Sequence, residues 1–283
     1  MRCLSHIMLI LIFCMNAFCV NAKDYFVDGQ KAFDAGNYAE AINNFEAGAN
    51  AGSGSCCAKI ALMHLGVGLP LDLSKARFWA HKGIELNSAR CYGIMGLTYM
   101  YETDMTTGKG MEGGLPYLIK AYELKDTDTE MEFFGNCGIN IATIYLVARD
   151  NTNGKHWLDR LVKDFSSYPA LLGQASYFDL ALNDYDSAIK YASVADRQSN
   201  IYAAYVLGYC LAYGKGIIQN KTSGFKYMKR AALSGLPDGA PEYMLGIFYQ
   251  DGIGTVPDIE KAKYWYGESA KKNNPNAVAK LKT

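Results

Sequence analysis

One segment of this chain occurs twice in succession near its C-terminus. Leu207-Gly208, Gly214-x-Gly216, Tyr227 and Ala231-Ala232 recur as Leu245-Gly246, Gly252-x-Gly254, Trp265 and Ser269-Ala270, each pair offset by 38 residues. A fixed period of that length, carried by apolar and glycine positions, marks a helical repeat array in which each unit buries its apolar face only by stacking on its neighbours. Ala204, Leu207, Gly208 and Leu211 fall on one helical face at i, i+3, i+4 and i+7. The small residues let a second helix approach closely, and the paired glycines then stop the first helix.

Similar signals extend toward the N-terminus. Tyr25 to Ala51 reads as a helix, a break at Gly36-Asn37, and a second helix with Tyr38, Ala41, Ile42, Phe45 and Ala49 at helical spacing. The break recurs at Asn183-Asp184-Tyr185, with Ala188 and Ile189 placed as Ala41 and Ile42 are. The pattern predicts units at about 24–53, 54–88, 89–128, 129–167, 168–198, 199–237 and 238–274, followed by a C-terminal cap over Asn276 to Thr283. Pro237 and Pro275, again 38 apart, read as unit-closing punctuation.

The 24–53 hairpin resembles a tetratricopeptide unit. Ala204-x-x-Leu207-Gly208 with Gly214-x-Gly216 and Lys229-Arg230-Ala231-Ala232, then Leu245-Gly246-x-x-Tyr249-x-x-Gly252-x-Gly254 with Asp258, Lys261-Ala262, Trp265-Tyr266 and Ala270, resemble Sel-one-like repeats. Gly66-x-Gly68, Asp72, Lys75-Ala76 and Phe78-Trp79 resemble a third copy whose loop is one residue shorter. Units 89–128 (Gly96, Tyr99, Gly108-x-Gly110, Tyr117) and 129–167 (Tyr145, Trp157) fit in outline. The resemblance implies an all-α fold, a right-handed superhelical α-solenoid of about seven helix-turn-helix repeats over residues 23–283. It also implies an exported bacterial protein that binds other proteins, with no catalytic residues and no cofactor.

Export is read from the N-terminus itself. Ile7 to Met15 is an uninterrupted apolar run preceded by Arg2 and followed by Val20-Asn21-Ala22, the pattern of a secretory leader over residues 1–22. The run is far short of the roughly 20 apolar residues of a membrane helix, and no later segment supplies them, so no integral membrane segment is expected. A periplasmic or secreted location follows. Lys plus Arg and Asp plus Glu each total 28. Nothing resembles the basic stripe that nucleic acid demands, so nucleic acid is not expected as a partner.

Removing the leader leaves Cys56, Cys57, Cys91, Cys137 and Cys210. Small buried residues and at least one disulfide are both open readings, although stacked helices about 8–10 Å apart close a disulfide poorly. His64, His81 and His156 form no His-Glu-x-x-His arrangement, no Cys-x-x-Cys is present, and no metal is expected. His64 stands where later units carry Tyr99 and Tyr145, which suggests a core role. Ser187-Ala-Ile-Lys190 has the spacing of penicillin-recognising enzymes but sits at ordinary repeat positions, with no Lys-Thr-Gly in the chain. Asp126-Thr-Asp128-Thr-Glu130 lacks the glycine of a calcium loop and reads as a linker. Asn220-Lys221-Thr222 is a glycosylation sequon in an expected loop.

The candidate ligand surface is aromatic. Tyr202, Tyr205, Tyr209 and Tyr213 cluster on one side of their helix, roughly opposite the Ala204 stripe, and Tyr243 and Ile247 hold related positions one unit on. In tetratricopeptide-type arrays that side lines the concave surface, where peptide segments bind. The expected partner is therefore another protein or peptide segment, bound as an adaptor or regulator would, with a toxin-neutralising immunity protein or a host-interaction factor as alternatives. Packing between adjacent first helices is the competing role for these tyrosines. Expression in a bacterial host with its secretion machinery should yield a chain beginning at Lys23 by intact mass; an uncleaved N-terminus would overturn the leader reading.

Overall fold

The computed structural model describes residues 22–102, 110–125 and 131–282. Residues 1–21 of the leader, Gly108 and the Asp126 to Glu130 stretch lie outside the described residues. Helices are α1 (Ala22–Asp34), α2 (Tyr38–Asn50), α3 (Gly54–His64), α4 (Leu73–Glu85), α5 (Ala89–Tyr101), α6 (Leu115–Glu123), α7 (Met131–Val147), α8 (Asn151–Asp164), α9 (Pro169–Ala181), α10 (Tyr185–Asp196), α11 (Ile201–Tyr213), α12 (Lys221–Ser234), α13 (Ala240–Asp251), α14 (Ile259–Lys271) and α15 (Pro275–Lys280). A short 3₁₀ turn at Met111–Gly114 leads into α6, and no strand occurs among the described residues. The chain divides into two compact units, residues 1–148 and 149–283.

Within the first unit α1/α2, α3/α4 and α5/α6 pair as hairpins, and the first helices α3, α5 and α7 also touch in series. Within the second, α9/α10, α11/α12 and α13/α14 pair likewise, α9 touches α11, and α15 covers α14. This is the all-α hairpin series that the repeat implies. Helices α7 and α8 share the stretch drawn as unit 129–167 and fall in different compact units.

The helix starts are set by short polar side chains in a regular rhythm. Ser53, Asp72, Ser88, Asp150, Asp184, Asn200, Asn220 and Asp258 each accept a hydrogen bond from a backbone N–H in the first turn that follows. Each such cap satisfies an otherwise orphaned donor and contributes about 1 kcal/mol. Asn220 of the sequon closes its loop as the cap of α12. One sequence reading changes: Pro275 opens α15, where its fixed φ suits a first helical position. Ser187 lies in the first turn of α10, its backbone N–H donating to Asp184 Oδ1 at 3.2 Å.

Inside a hairpin the helices approach to backbone distance. A Cβ on Gly208 would stand 2.8 Å from the Met228 backbone nitrogen, and one on Gly246 would stand 2.5 Å from the Tyr266 ring. The cysteines serve the same purpose: Cys56, Cys57, Cys91, Cys137 and Cys210 are all free and buried. The sulfur of Cys56 fills the space beside Gly48 and that of Cys91 the space beside Gly83, each glycine belonging to the preceding second helix. Burial pushes the thiols of Cys91 and Cys137 up to about 12, which keeps them protonated and unreactive.

The three glycine-pair loops share one construction. In each the capping residue donates its backbone N–H to a carbonyl near the end of the first helix, Asp72 to His64, Asn220 to Leu211 and Asp258 to Tyr249, all at 2.8 Å. The first of these spans one residue fewer, as the spacing predicted. Both glycines of each pair have positive φ, between 66° and 100°. The second glycine faces the start of the preceding unit's second helix: a Cβ on Gly68 would strike the Tyr38 ring at 2.6 Å, one on Gly216 the Tyr185 Cβ at 2.8 Å, and one on Gly254 the Lys221 carbonyl oxygen. Tyr38, Tyr185 and Lys221 are the first residues of α2, α10 and α12.

An ionic node around buried Asp179 ties three helices of the second unit together. Lys155 Nζ on α8 lies 2.7 Å from Asp179 Oδ1 on α9, 2.7 Å from Asp184 Oδ2 at the start of α10, and 3.1 Å from Asp159 Oδ1. Asp179 is fully buried, and burial pushes its carboxyl up to about 6 against the pull of Lys155. Such a node fixes geometry more than it stabilises, since desolvation offsets most of the attraction.

Gly254→Ala should cost about 2–4 kcal/mol in urea unfolding, combining a left-handed alanine at roughly 1–2 kcal/mol with overpacking against backbone. Gly36→Ala, at φ 78° with nothing within 4 Å, should cost only the first part. Equal losses at the two positions would show that the loop glycines are needed for φ alone.

Candidate functional site

The sequence-selected tyrosines do come together, on the second unit. Tyr202, Tyr205, Tyr209 and Tyr213 on α11 and Tyr243 and Ile247 on α13 are all half-buried. Tyr205, Tyr209, Tyr213, Tyr243 and Ile247 pack against the core cluster built on Leu245, Phe248 and Tyr266 while keeping part of their surface open. Tyr209 and Tyr213 stand 4.9 Å apart between centroids, Tyr213 meets Phe248 edge-on at 5.9 Å, and Tyr243 meets Tyr266 at 5.8 Å. The two roles weighed for these side chains are thus combined in the same rings.

The residue missing from the sequence reading is Tyr177. It is the ninth residue of α9 as Tyr209 is the ninth of α11, and its ring lies 5.7 Å from Tyr202 and 5.3 Å from Tyr205. Its hydroxyl donates to Asp238 Oδ2 at 2.6 Å. A cleft of about 230 Å³ opens on one side of it toward Leu180, Tyr185, Tyr205 and Tyr209. A second, of about 210 Å³, opens on the other side between Gln174, Phe178, Tyr202, Pro237 and Asp238. Equal counting from the two helix starts would have found Tyr177. Nothing in the repeat marks Asp238, because its importance comes from a contact made 61 residues away.

The Leu236-Pro237-Asp238 connector is held from several sides. Lys272 Nζ donates to the Leu236 carbonyl at 2.8 Å and to buried Glu242 Oε1 at 2.6 Å. Asn274 Nδ2 donates to the Asp238 carbonyl at 3.0 Å, Ser269 Oγ to the Gly239 carbonyl at 2.7 Å, and the Ala240 N–H to Asp238 Oδ1 at 3.0 Å. Pro237 adds its fixed φ. The Asp238 carboxylate is therefore set in place before any ligand arrives.

Burial is the first cause that pushes the phenols of Tyr177 and Tyr205 well above the ordinary tyrosine range, with Asp238 second in both. Tyr266 is pushed up to about 12, again by burial first and then by Tyr243 and Asp251. The face consists of neutral phenols bordered by the exposed carboxylates Asp238 and Asp251.

A larger groove of about 640 Å³ lies on the first unit, between exposed Phe78 and the stacked pair Tyr99 and Tyr117. Its charges are engaged within the fold. Arg77 holds Glu102 through two hydrogen bonds at 2.9 and 2.6 Å and lies over Tyr99, while Lys82 donates to Asn50 at 2.8 Å. His64 is half-buried, and burial followed by Lys75 lowers its pKa, keeping the imidazole neutral. His81 and His156 are exposed. Among the described residues no group of three His, Cys, Asp or Glu side chains converges as metal ligands, and no helix is long and apolar enough to cross a membrane.

Serial α-hairpins whose first helices stack and carry a part-open aromatic face define a helical-repeat protein. Residues 54–88, 201–236 and 242–274 match the family model of the Sel1 repeat, and the chain carries Sel1 repeats at these three stretches. It is similar to a solved protective antigen of uropathogenic Escherichia coli that displays an SLR fold, with TM-score 0.70 and 18% identity over 94% of this chain and 58% of the other. A solved Sel1 repeat protein from Oxalobacter formigenes aligns with TM-score 0.63 and 21% identity over 89% of this chain and 99% of that one. Among curated proteins a chitin synthase regulator, SKT5, of Malassezia restricta is 33% identical over 93 residues, which are 32% of this chain and 6% of the regulator. The two solved likenesses agree on the helical-repeat fold.

Because the native phenols keep their protons to higher pH than the unfolded chain's, the unfolded state binds fewer protons above about pH 10, and stability falls from there until the native groups ionise. The melting temperature should drop as pH rises above about 10, less steeply in Tyr205→Phe. Parallel slopes in the two proteins would show that Tyr205 ionises in the native state as it does when unfolded.

Proposed function

We propose that this chain is an exported, non-enzymatic adaptor or regulator that binds a segment of another protein across the face formed by α9, α11 and α13. The observation that carries the reading is the alignment of Tyr177, Tyr205, Tyr209 and Tyr213 beside two clefts, on helices whose opposite stripes are already consumed by packing. Sel1 repeats typically build scaffolds for protein–protein interaction. Tyrosine suits this work, since a rigid ring with a polar tip gives large contact area for few rotatable bonds.

The leader pattern before Lys23 supports export. An exported chain would meet its partner in the periplasm or outside the cell. An immunity role would use the same face with one tight toxin partner, and a host-directed role would use it after release into the medium. An adaptor requires neither.

The decisive experiment introduces a photo-crosslinking residue at Tyr209 and, as control, at exposed Lys263. Crosslinks to one defined protein from position 209 and none from 263 support the reading. With the captured partner, Tyr205→Ala/Tyr209→Ala should weaken binding by at least about tenfold, the effect of losing two hot-spot rings. Unchanged affinity with a collapsed melting temperature would reduce these tyrosines to core residues.

A further inference from the structure

The cleft on the far side of Tyr177 has a composition that selects for charge. Its walls are the rings of Tyr177, Phe178 and Tyr202, and its rim carries the Asp238 carboxylate. Tyr177 meets Phe178 at 6.2 Å and 75°, and Tyr202 at 5.7 Å and 65°, so ring faces and edges are turned to different sides of one small space. Among the described residues no lysine or arginine lines it. Aromatic faces attract cations through their quadrupole, and a carboxylate beside them adds a charge-assisted acceptor.

Resting on the segment-binding reading above, we infer that this cleft is the anchor pocket for an arginine side chain of the bound protein segment. Each Asp238 oxygen accepts one internal hydrogen bond, from Tyr177 and from the Ala240 N–H, and a carboxylate oxygen can accept a second. The guanidinium's flat shape suits an aromatic-walled slot, and its paired N–H donors suit a carboxylate, where lysine offers only a point charge. Leucine or phenylalanine would fill the same volume but leave the carboxylate to be desolvated without a partner. Because the connector is braced by Lys272, Asn274 and Ser269, the carboxylate need not be reorganised on binding. Tyr177 stays protonated as its donor, and the hydrogen bond keeps Asp238 turned toward the cleft.

The test uses the full chain with ring-labelled tyrosine and N-acetyl-arginine methylamide as the probe, followed by NMR titration. Expected are saturable shifts at Tyr177 and Tyr202, absent or at least about tenfold weaker with the neutral citrulline analogue, as loss of a charged hydrogen bond requires. Asp238→Asn, which retains an acceptor for Tyr177, should weaken arginine binding about tenfold or more, and Tyr202→Leu about two- to fivefold, as loss of one cation–π contact does. Should Asp238→Asn fail to fold by its melting curve, Tyr202→Leu and the citrulline comparison decide. Equal response to citrulline, or arginine binding indifferent to either substitution, overturns the inference. So does an equal response to choline, which would make the pocket a general ammonium site. Shifts confined to Tyr205, Tyr209 and Tyr213 would overturn the arginine pocket and leave segment binding intact. Failure of the position-209 crosslink with arginine still bound would do the reverse.

Discussion

The second glycine of each loop pair is the contact on which the repeat series depends. Gly68, Gly216 and Gly254 lie where any side chain would enter the first residue of the preceding second helix, and all three have positive φ. Glycine backbone is thereby laid against the Tyr38 ring, the Tyr185 Cβ or the Lys221 carbonyl, and these close approaches set the step from one hairpin to the next. Inside each hairpin Gly208 and Gly246 do the same for the paired helices. Hydrophobic burial supplies the drive, but it is non-directional; the glycines decide at which spacing it is collected.

That spacing has a direct consequence for the tyrosine face. Helices brought to backbone distance on one side leave their large residues for the other, and on α11 Ala203, Ala204, Val206, Leu207, Gly208, Cys210 and Ala212 are buried while Ile201, Leu211 and four tyrosines stay half-buried. Rings on adjacent first helices then meet, as Tyr177 meets Tyr205 and Tyr213 meets Phe248. The face is built on the stack, and its clefts are gaps between rings, one of them closed by the braced Leu236-Pro237-Asp238 connector. Rigid aromatic surface loses little entropy on binding, which is the physical advantage of building a recognition face on helices.

The repeat was legible in the sequence wherever a backbone requirement dictated residue type. The 38-residue offset, the glycine pairs and the stretch before Gly66 that is one residue shorter all report local geometry, and all stand in the structure as read. Legibility failed where meaning depends on distant contacts. Tyr177 and Asp238 gain their roles from each other, Lys155 from carboxylates on two further helices, and the boundary at residue 148 from packing that no single motif records. Pro275 misled for a simpler reason: the residue that bars a helix from continuing is equally suited to begin one.

The buried polar groups of the second unit separate structure from recognition. Asp179 and Glu242 are buried and each is met by a lysine, Lys155 or Lys272; Asp196 on α10 accepts from Tyr227 and Arg230 on α12. These cation contacts hold helices in register. Asp238 differs, being exposed and bonded to a tyrosine hydroxyl and a backbone N–H, with no cation among the residues lining its cleft. An interior that neutralises its buried carboxylates with cations, beside an aromatic cleft that leaves one carboxylate without any, directs the search for a ligand to the cleft. The charge that Asp238 lacks is the charge that a partner would bring.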